Sequence, residues 1–76
     1  MGGISVPKTS FLHTCESLGA VNGKKRWRSQ DSTRLYEWDS LHGEIEIYNK
    51  RGDHLGVLDS DGVFIKNAIK GRTIDV

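Results

Sequence analysis

One cysteine in 76 residues leaves no partner for an intramolecular disulfide, so no disulfide bridge staples this small chain. The sequence therefore suits a reducing compartment, or at least does not depend on an oxidising one. Cys15 also lacks the surroundings of a nucleophile: "HTC" is a poor catalytic or metal pattern, and a lone cysteine is more often a small buried hydrophobe. Long apolar runs are missing as well. Nothing approaches the roughly 20 residues a membrane span needs, and no apolar stretch marks a signal peptide near the start. Repeats, low-complexity tracts and the spacings of zinc or calcium loops are absent too. What is left is one small soluble domain with a modest core.

The formal net charge of +1 averages two unlike halves. Residues 1–30 carry Lys8, Lys24, Lys25, Arg26 and Arg28 against Glu16 alone, whereas residues 31–76 are acidic on balance. The cluster "KKRWR" sets Trp27 among four cations, Lys24, Lys25, Arg26 and Arg28. That combination suits phosphate contact with base stacking; the plainer reading is a solvated turn before a strand.

Residues 9–18, "TSFLHTCESL", are expected to form a short helix. Thr9 or Ser10 would cap it, Phe11, Cys15 and Leu18 share one face, and Gly19 would end it. "GAVNGKKR" reads as a flexible connector. From Thr33 the period becomes two, with strands expected over 33–38, 43–50, 54–59 and 63–66 and one more around 70–75. The expected fold is α+β but mostly β: a small twisted antiparallel sheet of four to six strands with one short N-terminal helix. Residues 1–8, beginning "MGG", read as a leader or linker before a single domain over 9–76.

"YEWDSLHGEIEIY", residues 36–48, concentrates titratable groups. If Ile45 and Ile47 face the core, Glu44, Glu46 and Tyr48 face the other way, with the two carboxylates about 7 Å apart. The bend "DSLHG" folds Asp39 back toward His42. Three readings fit. A two-sided sheet keeps a polar face in water, although clustered carboxylates repel unless a cation or proton intervenes. Asp39, His42 and a glutamate form a conceivable metal set, yet no second His or Cys completes it. The third reading is acid/base chemistry, with His42 as acid and a neighbouring Glu as base, which suits metal-free cleavage of RNA. Such cleavage also needs a cation for the phosphorane, and Arg72, Lys70 and Lys66 are candidates.

The run "KKRWRSQDSTRLYEWDSLHGEIEIY" closely resembles the C-terminal cytotoxic domain of the ribosome-inactivating E-group colicins and cloacin, whose pattern is K-R-W followed by Y-E-W-D-S-x-H-G-E-x-E-x-Y. The likeness continues through "DHLGVLD" to "KGRTI", over roughly residues 24–74. It implies a metal-independent endoribonuclease, without cofactor, that cuts small-subunit (16S) ribosomal RNA at the decoding site. It also implies a secreted or surface-delivered toxin that acts in the target bacterium's cytoplasm and is restrained in its producer by a cognate immunity protein. The family's catalytic positions fall on Asp39, His42, Glu46 and Arg72: Glu46 as base, His42 as acid, Asp39 supporting His42, and Arg72 on the scissile phosphate. Glu44 matches the motif as a tuning group, and Tyr48 and His54 match positions on the RNA-facing surface.

The departures from that pattern are a near-neutral charge, Asp75 where a basic tail is expected, the expected helix over 9–19, and a turn at 50–53 about one residue shorter. They point to another delivery system, such as contact-dependent inhibition or another polymorphic toxin. The competing readings are a ribonuclease acting on transfer RNA and a non-catalytic RNA- or ribosome-binding module.

Overall fold

The computed structural model describes residues 3–76; Met1 and Gly2, the start of the expected leader, lie outside the described residues. Asn22 and Gly23 both take positive φ, 53° and 82°. Such paired left-handed residues make the two-residue turn whose twist matches its flanking strands. They join β1 (Glu16–Val21) to β2 (Lys24–Arg28), and β3 (Arg34–Asp39), β4 (Glu44–Asn49), β5 (His54–Leu58) and β6 (Phe64–Asn67) follow. Each strand is antiparallel to its predecessor, so the sheet runs β1-β2-β3-β4-β5-β6 without a crossover.

Three of the turns share one device, an Asx side chain that ends or follows a strand and accepts two backbone N–H groups. Asp39 Oδ1 takes those of Leu41 and His42, Asn49 Oδ1 those of Arg51 and Asp53, and Asp59 Oδ1 those of Asp61 and Val63. A side chain that can bond its own backbone two residues on favours a turn over continued strand.

The expected helix over 9–18 is not formed. A single 3-10 turn, Phe11–Thr14, is capped by Ser10, whose Oγ accepts the Leu12 N–H at 3.3 Å. Cys15 is already extended, with φ −96° and ψ 163°. Hydroxyl residues compete for the backbone in this segment: Thr14 Oγ1 donates to the Phe11 carbonyl at 2.6 Å. The Asn22-Gly23 turn offers residues 16–21 a ladder, which outweighs a marginal short helix. "GAVNGKKR" is accordingly half of a hairpin and not a flexible connector. Phe11 and Cys15 still pack against the core, as their shared face suggested, but Leu18 sits on a strand.

The core lies on one face of the sheet. Trp27, Tyr36, Trp38, Ile45 and Leu58 meet Leu12 there, with Val6, Phe11, Cys15 and Ile47 packed around them. Leu12 and Ile45 are wholly buried. Residues 3–15 cover this face, tied down by Trp38 Nε1–H donating to the Ile4 carbonyl at 2.7 Å and by an edge-to-face contact of 5.2 Å between Phe11 and Tyr36.

The opposite face is polar but not open. Register places Arg26, Glu37, Glu46 and Lys66 in one row across it, with Val57 between the last two. The chain after β6 folds back along this side. The strand expected around 70–75 is reduced to one bridge, Asp53 with Thr73, reinforced by the Ile74 N–H to the Gly52 carbonyl and the His54 N–H to the Arg72 carbonyl. Gly52 makes that approach possible: its φ is +90°, and a Cβ there would collide with the Ile74 carbonyl oxygen.

Candidate active site

Asp39 closes β3, and its two oxygens have separate tasks. Oδ1 caps the turn through Leu41 and His42, while Oδ2 lies 2.7 Å from His42 Nδ1. Burial alone would push the Asp39 carboxyl up. The His42 ring, with the N–H groups of His42 and Leu41, outweighs it and holds the carboxyl below its ordinary value. His42 Nδ1 is turned to Asp39, the ring is exposed, and no hydrogen bond from the described residues reaches its Nε2. Glu44 stands directly opposite Asp39 in the β3–β4 register and binds Lys66 Nζ at 3.0 Å.

Ligand atoms of Asp39, His42 and Glu44 lie within 4.8 Å of one another, the one such group among the described residues. Two of the three are already engaged by protein donors: Lys66 neutralises Glu44, and the imidazole bridges to Asp39. An ion would have to displace those contacts.

Glu46 belongs to a second, deeper cluster. Its Oε1 is 2.7 Å from His54 Nε2 and 3.4 Å from Arg72 Nη1. Directly opposite on β3 stands Glu37, whose Oε2 accepts from Arg26 Nε at 3.1 Å and Nη2 at 2.7 Å. Two carboxylates facing each other across a ladder destabilise it unless each has a cation, and Arg26 and Arg72 supply them from opposite sides. Among the described residues no buried side-chain nitrogen or oxygen lacks a partner. Tyr48 packs edge-to-face on His54 at 5.2 Å; burial pushes its hydroxyl pKa up, and Arg72 offsets part of that.

The expected site is therefore drawn together on one sheet face, in two adjoining groups. Asp39, His42, Glu44 and Lys66 form the outer group. Glu46, His54 and Arg72 form the inner one. Arg72 reaches Glu46 from a segment whose backbone bonds to β5.

The basic cluster departs from expectation. Trp27 faces the core, because strand alternation turns it away from Arg26 and Arg28, so its ring is not available for base stacking. Arg26 is buried against Glu37, and Arg28 pairs with Glu16 at 2.8 Å. Lys24 and Lys25 remain exposed beside the hairpin tip, as does Lys70 near the C-terminus. Tyr48 and His54, expected on an RNA-facing surface, are both buried beneath the C-terminal segment. A cleft of about 340 Å³ opens between the first hairpin and the C-terminal segment, walled by Lys24, Arg26, Glu37, Tyr48 and Arg72. A larger depression, about 630 Å³, is lined by Lys24, Lys25, Asp39 and residues 3–6.

Glu37 escaped sequence reasoning, though a signal exists. A carboxylate between Tyr36 and Trp38, in a strand whose next neighbour carries "EIE", must share a face with those glutamates.

Fold and site together define a small antiparallel sheet domain carrying imidazole–carboxylate pairs on one face and arginines around them. The Cytotoxic family model matches residues 8–75. The chain belongs to this family, the cytotoxic toxin domain of the E-group colicin type. It is 49% identical over 37 residues to colicin E3 of Escherichia coli, a stretch covering 47% of this chain and 7% of that protein. Cloacin of the same organism is 43% identical over 42 residues, 54% of this chain and 8% of its own length. Colicin-E6, also from Escherichia coli, is 40% identical over 42 residues, with the same two shares. The matched stretch is thus a small fraction of each curated relative.

Proposed function

We propose that the domain is a toxin endoribonuclease that cleaves small-subunit ribosomal RNA at the decoding site by acid/base transesterification, without a metal. The observation that carries this reading is the Asp39–His42 pair, 2.7 Å across, set beside two carboxylates and Arg72 on one face. Glu46 accepts the proton of a ribose 2′-hydroxyl, and that oxygen attacks the adjacent phosphorus. The bond from phosphorus to the 5′-oxygen breaks, and His42 Nε2–H protonates the leaving oxygen. The products are a 2′,3′-cyclic phosphate and a 5′-hydroxyl end. Arg72 offsets charge on the phosphorane, Asp39 fixes the His42 ring, and Glu44 with Lys66 tunes it. Lys24, Lys25 and Lys70 contribute phosphate contacts around the site.

In this reading the domain is the payload of a larger secreted or surface-delivered toxin. It acts in the target cell's cytoplasm and is bound by an immunity protein in its producer. The test is incubation with intact ribosomes in EDTA, followed by gel analysis of the RNA. One discrete 3′ fragment of small-subunit RNA is expected, lost in His42→Ala with the fold retained. Cleavage of transfer RNA alone would change the substrate, and tight ribosome binding with intact RNA would replace the enzyme with a binding module.

A further inference from the structure

His54 stands apart from the groups assigned above. Its side chain is fully buried, so it does not touch a nucleic acid. The Ile69 backbone N–H donates to His54 Nδ1 at 2.9 Å. An amide nitrogen has no lone pair to offer, so Nδ1 is the accepting nitrogen and the ring proton resides on Nε2. That Nε2–H donates to Glu46 Oε1 at 2.7 Å.

The Arg72 contact falls on the same oxygen. Among the described residues no hydrogen bond reaches Glu46 Oε2, and none of their side-chain oxygens is buried without a partner. Oε2 therefore keeps access to solvent. The two oxygens of one carboxylate are distinguished by their neighbours.

We infer that His54 is a positioning residue for Glu46: fixed as the Nε2–H tautomer by the Ile69 amide, it anchors Oε1 and presents Oε2 as the oxygen that takes the ribose proton. This rests on the reading of Glu46 as base given above. The surroundings support a fixed arrangement. Tyr48 packs against the His54 ring, Glu37 faces Glu46 from β3 with Arg26 on its far side, Arg72 approaches from the C-terminal segment, and Val57 lies opposite on β5. Lys66 and Glu44, also on this face, pair with each other. A base held in one rotamer is worth a large factor in rate, since misplacement by about 1 Å costs on the order of 100-fold.

His54→Leu and His54→Gln test the inference in single-turnover cleavage across a pH series. His54→Leu removes the donor: the rate should fall about 100-fold, with the acid limb of the profile moved to higher pH and the basic limb unmoved. His54→Gln, whose amide both donates and accepts, should restore most of the rate and return the limb. A His54→Leu enzyme with normal rate and an unmoved acid limb overturns the assignment. Should His54→Leu not fold, nitrogen-15 NMR of the wild-type imidazole decides: a protonated Nε2 with a bare Nδ1 upholds the anchoring, and a protonated Nδ1 overturns it. If the wild type cleaves no RNA, the role of Glu46 as base falls and its presentation with it, while the NMR result still decides whether His54 anchors Oε1.

Discussion

Glu37 and Glu46 face each other across the β3–β4 ladder, both buried, each matched by an arginine from a different part of the chain. Removing one member of a buried ion pair leaves an uncompensated charge, which costs about 3–5 kcal/mol. Arg26→Ala should lower stability by that order in urea titration. Arg26→Met combined with Glu37→Leu should recover most of the loss, because both charges leave together.

Gly52 controls where Arg72 sits. Gly52→Ala places a Cβ against the Ile74 carbonyl at a φ that disfavours side chains, and the C-terminal segment must shift. A cost of about 1–3 kcal/mol is expected from backbone strain, read as a lowered Tm. Activity should fall further than stability, because the Arg72–Glu46 contact rides on the same segment. Retained cleavage with a lowered Tm would separate Arg72 from the chemistry.

Acid should loosen the β2–β3 turn. Hydroxyls of Thr33 and Ser29, then the Thr33 N–H, pull the Asp31 carboxyl from 3.8 down to about 2. Its folded value is below its unfolded one, so between these values the unfolded chain binds the extra proton. The stabilisation is complete above about pH 4 and is lost as pH falls toward 2. Asp31→Asn should flatten the dependence of Tm on pH in that window and leave it unchanged near neutrality.

Trp27 and its lysine neighbours should part company on mutation. Trp27→Ala removes a buried core ring and is expected to cost about 3–5 kcal/mol. Lys24→Glu with Lys25→Glu should leave Tm nearly unchanged but weaken ribosome association, with a shallower salt dependence. Trp27→Ala with unaltered stability would contradict the core placement.

Alternation in "GEIEIYNK" and the bend "DSLHG" made β4 and the Asp39–His42 approach legible, because parity and turn chemistry are local. The helix expected over 9–18 went wrong because Phe11, Cys15 and Leu18 satisfy a helical face only if nothing competes. The Asn22-Gly23 turn offered a strand partner that a window of ten residues does not contain. Burial of Glu46, Tyr48 and His54 was illegible for a related reason. Their face is covered by residues far along the chain, and no local pattern says that residues 69–76 return over it. Arg72 was a candidate cation whose role came from the resemblance; the pairing of Glu46 with His54, and the place of Glu37, needed the register and the fold.

The sequential strand order also bears on how the molecule assembles. Each strand pairs with the next one in the chain, so most ladder contacts close short loops at small entropic cost. The bond from Arg26 Nη1 to the Asp75 carbonyl spans 49 residues instead. Local closures precede distant ones on entropic grounds, so the meander zips up before the tail docks. Arg72 and the Ile69 amide arrive with that tail. On that order a formed sheet precedes a complete Glu46 cluster, and the chemistry proposed above waits on the seating of residues 69–76.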